Sequence, residues 1–346
     1  ALCASDPSLT DDAVAAALAD GGIGVRAVRG ESPDDAHRRL VAVVDERPQV
    51  ALDAASDLLG VLHASRRGLL DQVLAVLADG EAGALRAREL ERAGDLGVPV
   101  IAVGEAETAK LVDSRFGSGR AVIDQLERVL GGALDGREVV VAGYGWHGRG
   151  IADRARAVGA RVTVLEIDPL RALQAAMDGH AVATAQDAAR LGDVFITATG
   201  GIGVLGPEQV ALMRDGAVLC NAGSYALEIE GPALRESALG IREPRLHLET
   251  LELADGRSVG LVAGGGPIAA LGSGAPLVVL DVRLAAHLLC AAYAVAHGDA
   301  LDARVYVAPP EVDGDVARRR LAALGHAIDE PTEDQRRYAA GWRDGA

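Results

Sequence analysis

The stretch Val139-Val140-Val141-Ala142-Gly143-Tyr144-Gly145-Trp146-His147-Gly148 sets a G-x-G-x-x-G pattern directly behind an apolar run and ahead of an amphipathic one. That spacing suits a bound diphosphate. Gly143 permits the tight turn, Gly145 lets the backbone approach the ligand, and Gly148 lets helix and strand pack closely. The helix that follows then turns unpaired N–H groups toward the anion. Trp146 and His147 lie inside this loop; His147 is placed to contact phosphate or substrate, or serves only as a loop residue. Glu166 ends the next apolar run, 23 residues after Gly143. A carboxylate there accepts both ribose hydroxyls and repels a 2′-phosphate, which points to NAD rather than NADP. Thr197-Ala198-Thr199-Gly200 and Cys220-Asn221-Ala222-Gly223 each follow a further apolar run. Asn221 is placed to hydrogen-bond a nicotinamide carboxamide, and Thr197 and Thr199 to contact ribose or phosphate.

Oxidation of a hydroxyl beside such a cofactor needs an acid–base group. Of the 34 cationic side chains only Lys110 is a lysine; the others are arginines. Lys110 and Asp113 stand three apart, which on a helix puts them on one face as a pair. A partly desolvated lysine in that setting acts as a base, whereas the plainer reading is a solvated surface lysine. Asp57, Asp79, Glu81 and Asp113 are the carboxylate candidates, each able to serve instead as a cap or solvated side chain. His63 follows an apolar stretch and reads either as a site residue or as a structural histidine bonded to backbone. His287 and Cys290 fall inside an apolar helical run and read as core or interface residues. Cys3, Cys220 and Cys290 are too far apart, and wrongly spaced, for a disulfide framework or a zinc site.

The elements that must position these groups alternate. Short β-branched runs at 24–28, 49–53, 98–103, 138–142, 161–166, 181–183, 194–197 and 217–220 are separated by helical patterns at 33–45, 84–93, 118–130, 148–158 and 169–177. This predicts an α/β fold: a doubly wound NAD-binding domain of the Rossmann type plus a second α/β substrate domain. Residues 254–257 (Ala-Asp-Gly-Arg) read as a hairpin turn, and a long Ala/Leu helix is expected from about 277 to 296. At about 150 residues per domain, 346 residues make roughly two. The expected division is 1–117 as the N-terminal part of the substrate domain, 118–273 as the NAD-binding domain, and 274–346 as a helix returning to the substrate domain with a tail. A formal charge of −16 disfavours nucleic acid and anionic membrane surfaces as partners. With no signal-peptide pattern in the sequence, a cytoplasmic protein is the expectation.

Over almost its whole length the sequence resembles the S-adenosylhomocysteine hydrolase family. The resemblance is carried by Val141–Gly150, Glu166-Ile167-Asp168-Pro169, Gln174-Ala175-Ala176-Met177-Asp178-Gly179, Phe195–Gly200 and Asn221-Ala222-Gly223. Before the cofactor segment it continues at Ser8–Asp12, Leu52–Leu58 and Asp113–Gly117. It implies permanently bound NAD, a small-molecule nucleoside substrate, and a homo-oligomer, dimer or tetramer. The implied cycle is redox-neutral: oxidation of the ribose 3′-hydroxyl, elimination of the 5′-thiol, addition of water and re-reduction.

The departures fall on the thioether chemistry. Leu52-Asp53-Ala54-Ala55-Ser56-Asp57 has Ala54 where the resemblance implies a catalytic Asp. Ala109 stands at the position of a catalytic Lys, with Lys110 one residue beyond it and the partner Asp kept as Asp113. Asp79 falls at a substrate-binding Glu in an ungapped alignment, His63 at a histidine near the substrate, and Ser224 at a further histidine. The adenine-holding Gly-His-Pro reads Gly274-Ala275-Pro276. The resemblance starts just downstream of the family's His-Met-Thr segment, and the family's Lys-x-x-x-Tyr has no counterpart after Trp342. The expectation is therefore an NAD-dependent enzyme that eliminates or adds water on a nucleoside or analogue through transient sugar oxidation. The alternatives are a net oxidoreductase or epimerase, the adenosylhomocysteine hydrolase proper, and a catalytically dead NAD-binding regulator.

Overall fold

A computed structural model describes residues 1–341 apart from 6, 8, 9 and 273–275. Ser8, Leu9, Gly274, Ala275, Trp342 and the side chain of Glu81, on which some expectations above bear, lie outside the described residues. Two short strands, β1 (Leu2–Cys3) and β2 (Val25–Arg26), pair in parallel beside helices α1 (Asp12–Asp20) and α2 (Pro33–Val44). A βα series follows: β3 (Val50–Asp53), α3 (Asp57–Ser65), β4 (Ala75–Ala78), α4 (Glu81–Ala93) and β5 (Val100–Ala102). A π-helical segment, Ala109–Gly117, then runs directly into α5 (Ser118–Leu130).

The second series holds β6 (Glu138–Ala142), α6 (Trp146–Ala157), β7 (Arg161–Leu165), α7 (Pro169–Met177), β8 (Ala181–Val182) and α8 (Ala185–Leu191). It continues through β9 (Val194–Thr197), α9 (Pro207–Val210), β10 (Ala217–Asn221) and α10 (Gly231–Ser237). It closes with β11 (Gly240–Arg245), β12 (Leu248–Glu252) and β13 (Ser258–Val262). The chain ends in α11 (Leu277–His297), β14 (Val305–Val307), α12 (Pro310–Ala323) and α13 (Glu333–Ala340).

The two larger sheets explain where a site can form. The eight-stranded sheet has the order β11-β12-β13-β10-β9-β6-β7-β8. It is parallel from β13 to β8, with β12 antiparallel to both β11 and β13. The four-stranded sheet, β14-β5-β4-β3, is wholly parallel. Central strands buried on both faces need continuous apolar runs, and β9, β10 and β4 are buried at every position. Separate cores form on the two faces of each sheet, built around Val141 and Ile151, around Phe195 and Leu219, around Leu62 and Val76, and around Leu77 and Cys290. The strands predicted at 138–142 and 194–197 and the helices at 118–130 and 169–177 have those bounds in the structure. Asp168 caps α7 by accepting from the Leu170 N–H at 2.8 Å, with Pro169 at its first turn.

By length and composition α11 could cross a membrane. Here it packs on β4 and against α12 and the π-helical segment. Ala286 and Cys290 are buried in the core under the four-stranded sheet, together with Leu77 and Ile101.

Candidate functional site

The carboxyl ends of the parallel strands of both larger sheets open onto one cleft of about 1720 Å³. Parallel α/β sheets collect their ligands at this edge because the loops there are free to diverge. The wall formed by the eight-stranded sheet carries the glycine loop. Gly143 has φ 95°, and a Cβ on it would stand 2.6 Å from the Ala198 oxygen. A Cβ on Gly148 would stand 1.9 Å from the Gly143 oxygen, so only glycine lets α6 approach β6 this closely. Gly145 starts α6 without a side-chain cap, leaving the first-turn N–H groups facing the cleft. Glu166 ties the loop to the end of β7: one oxygen accepts the Tyr144 N–H at 2.7 Å, the other those of Ile167 at 2.7 Å and Asp168 at 3.0 Å. An ionised carboxylate has about four acceptor positions, so one remains for a ribose hydroxyl. The glycine cradle, the uncapped helix start and this acid fit NAD.

Trp146, His147 and Thr199 also line the cleft. The His147 Nδ1 is 2.7 Å from the Ser118 hydroxyl at the head of α5. Thr199 is held by a residue that sequence reasoning missed. Glu228, almost fully buried, accepts the Thr199 N–H and hydroxyl, both at 2.8 Å, and the Gly200 N–H at 3.0 Å. No motif marks this glutamate, because its partners lie in a loop 28 and 29 residues away.

Two expectations on this wall need correcting. Thr197 and Asn221 are fully buried behind the cleft rather than facing it. The Asn221 amide donates to the Tyr225 oxygen at 2.8 Å and the Gly265 oxygen at 3.0 Å, and its carbonyl accepts the Gly223 N–H at 2.7 Å. Its carboxamide shapes the loops after β10 and β13 and has no donor left for a ligand.

The opposite wall is built on the four-stranded sheet, the π-helical segment and α11. Asp79, directly after β4, and Asp113 both reach the cleft. Ala54 and Ala109 line it as well. Arg283 and His287, one turn apart on α11, meet the two carboxylates there. The Arg283 Nε donates to Asp79 Oδ1 at 2.8 Å and its Nη2 to Asp79 Oδ2, while Nη1 lies 3.7 Å from Asp113 Oδ2. The His287 Nε2 lies 3.2 Å from Asp79 Oδ1, and its Nδ1 donates to the Arg283 carbonyl at 2.9 Å. Burial raises the Asp113 carboxyl above its ordinary range, with His147 opposing. Burial also lowers His287, and the Arg283 charge adds to that. His287 was expected in the core or at an interface. The pattern that could have found it is the pair of polar residues, Arg283 and His287, at i and i+4 in a largely apolar helix.

Three predicted site residues lie elsewhere. Lys110, expected to pair with Asp113, donates instead to Glu107 at 3.0 Å, outside the cleft. The i, i+3 argument assumes an α-helix, and this segment winds with i→i+5 bonds. Asp57 begins α3, pairs with Arg86 at 3.2 Å and is absent from the cleft wall. His63 is buried with both ring nitrogens on backbone: Nδ1 donates to the Leu59 oxygen at 2.8 Å and Nε2 accepts the Gly97 N–H at 2.9 Å.

Comparison with known proteins agrees with this cleft. Residues 114–275 match the family described as S-adenosyl-L-homocysteine hydrolase, NAD binding domain. An adenosylhomocysteinase of Aquifex aeolicus is 42% identical over 99% of this chain and 83% of its own length. An adenosylhomocysteinase of Pyrococcus abyssi is 40% identical over 99% and 81%. An S-inosyl-L-homocysteine hydrolase of Methanocaldococcus jannaschii is 39% identical over the whole chain and 83% of its own length.

Proposed function

The chain belongs to the adenosylhomocysteinase family and takes NAD as its cofactor, and on that premise we propose that it transiently oxidises a sugar hydroxyl of a nucleoside or nucleoside analogue and eliminates or adds water reversibly. One observation carries the reading: a complete dinucleotide cradle faces a charged wall of Asp79, Arg283, His287 and Asp113, in which Ala54 and Ala109 replace the carboxylate and lysine that the family resemblance implies. Family relatives include hydrolases named for two different bases, adenine and hypoxanthine, so a change of substrate within this architecture has precedent.

In this reading residues 1–117 and 274–346 form the substrate lobe and 118–273 the NAD lobe. Gly143, Gly145, Gly148 and the start of α6 hold the diphosphate, with Trp146 and His147 beside it. Glu166 takes a ribose hydroxyl, and Thr199 keeps its loop in place through Glu228. NAD, when bound, supplies a two-electron acceptor that returns the electrons within the same cycle. Asp113 and Asp79 face the reacting sugar from the other wall. Closure of the lobes shields a ketone from water.

Hydrolysis of S-adenosylhomocysteine is the second reading, favoured by the names of the relatives. Mass analysis after incubating the NAD-loaded protein with a panel of adenosine-type nucleosides and S-adenosylhomocysteine separates the two. A nucleoside losing or gaining the mass of water supports the first reading; release of homocysteine at rates typical of enzymes, about 1 per second or faster, replaces it with the second.

A further inference from the structure

The guanidinium of Arg283 is bound along one edge and open along another. Its Nε donates to Asp79 Oδ1 at 2.8 Å and its Nη2 to Asp79 Oδ2, which uses the side edge of the fork. A guanidinium carries five N–H groups in one plane, so its end edge, one N–H on Nη1 beside one on Nη2, stays parallel and free of Asp79. Among the described residues Nη1 meets no hydrogen-bond acceptor. Asp113 Oδ2 lies 3.7 Å from it, too far for a hydrogen bond. The hydrogen bonds that reach Asp113 end on its backbone oxygen, from the Ser118 N–H and hydroxyl, and leave the carboxylate unused. A donor edge and an acceptor thus stand side by side in one cleft, their side chains 38% and 30% exposed.

The edge is also held still. Val282 and Ala286, either side of Arg283 on α11, are buried in the core against β4, and Asp79 directly follows β4. Asp79 therefore fixes the guanidinium in place, so little side-chain freedom remains to be lost when a ligand arrives. The arginines among the described residues lining the cleft are Arg120, Arg128, Arg171 and Arg283, and the first three stand on α5 and α7 of the cofactor wall. Arg283 is the permanent cation of the substrate wall. The family resemblance implies a lysine at 109, in the same segment as Asp113, where this chain has Ala109. The cation beside Asp113 comes instead from α11.

A second anion suits this edge poorly, because Asp79 already neutralises the guanidinium and Asp113 repels negative charge beside Nη1. Two neutral hydroxyls suit it well: each oxygen accepts from the edge and keeps an O–H to donate. We propose that Arg283 is a specificity-determining substrate residue whose free edge, with Asp113 beside it, binds a vicinal diol of the substrate's sugar. The two hydroxyl oxygens accept from Nη1 and Nη2, and one hydroxyl donates to Asp113. Arg283 restores the charge of the missing lysine but not its basicity, since a guanidinium does not give up its proton. The inference rests on the nucleoside reading for its sugar, and on the geometry for the diol.

Calorimetry of the NAD-loaded full chain with adenosine, 2′-deoxyadenosine and 3′-deoxyadenosine tests it. Adenosine should bind about 10-fold or more tighter than either deoxy analogue, as expected where a charged group bonds each hydroxyl. Arg283→Lys, which keeps the charge without the second edge, and Arg283→Gln should both weaken adenosine by about 10- to 100-fold and bring the three ligands within about threefold of one another. NAD affinity, set on the opposite wall, should stay within about twofold and reports that the variants are folded. Variants that bind NAD normally and keep the wild-type preference for the diol overturn the proposal. Tighter Arg283-dependent binding of adenosine 5′-phosphate than of adenosine also overturns it, in favour of an anion. If wild type binds no nucleoside, ligand-observed NMR with methyl riboside and its 2-deoxy analogue separates the two claims. Arg283-dependent preference for the riboside overturns the nucleoside reading and keeps the diol subsite; binding of neither overturns both.

Discussion

Glu166 and Lys110 were both read from type and spacing, and they fared differently for a physical reason. The acid sits at the end of a strand, where period-two geometry fixes its direction, and it bonds the glycine loop through the Tyr144 N–H. Glu166→Ala removes the loop tether and, in the proposed function, the ribose acceptor, so NAD affinity should fall by roughly 10- to 100-fold, measurable by calorimetry. Lys110 sits on a π-helical segment whose register the sequence does not advertise. Pairing with an exposed Glu107 makes it a surface ion pair, for which Lys110→Arg should change stability by less than about 1 kcal/mol and leave activity within about twofold. A large loss of turnover in that variant would return the lysine to the site. Asp113 carries a pH consequence as well. Its carboxyl holds a proton more tightly folded than unfolded, so stability declines as pH rises above the ordinary carboxylate range. Melting temperatures across about pH 4 to 7 should show a shallower decline in Asp113→Asn than in wild type.

Elements with strong local signals were legible: apolar β6 and β9, the Asp168-Pro169 start of α7, and the 3.6-residue pattern of α5. β4 was not. Its four residues, Ala-Val-Leu-Ala, are all buried between neighbouring strands and merge with the Ala/Leu-rich helical stretches on either side. A central strand shows no alternation, so periodicity alone does not separate it from a helix. Missing β4 left Asp79 a candidate by type and alignment only; it reaches the cleft because it directly follows that strand. The β6–α6 turn yields a test at this scale. Gly148→Ala forces a methyl against the Gly143 carbonyl, so it should destabilise the fold by about 1–3 kcal/mol and weaken NAD binding. Denaturant titration with and without NAD reads both effects; wild-type stability and affinity would mean the strand–helix contact is looser than the structure shows.

At the scale of the whole molecule, two lobes place a cofactor wall opposite a substrate wall, and the residues of the second come from parts of the chain about 200 positions apart, as the Asp79–Arg283 pair shows. Sequence motifs report local arrangements, which is why the glycine loop was readable, while Arg283 and His287, which meet the candidates Asp79 and Asp113 from a distant helix, were not. The same burial silences the cysteines. Cys220 and Cys290 have thiols pushed up to about 12 by burial, Asp313 adding to the effect at Cys290. Both should resist a thiol reagent at about pH 8 until the protein is unfolded. The most direct measurement of the central claim is rapid mixing of the NAD-loaded protein with adenosine-type nucleosides in deuterated water. Nicotinamide absorbance should rise and decay within one turnover, and recovered nucleoside should carry deuterium at the 4′ position. No absorbance change and no 4′ deuterium across a broad nucleoside panel would contradict the account.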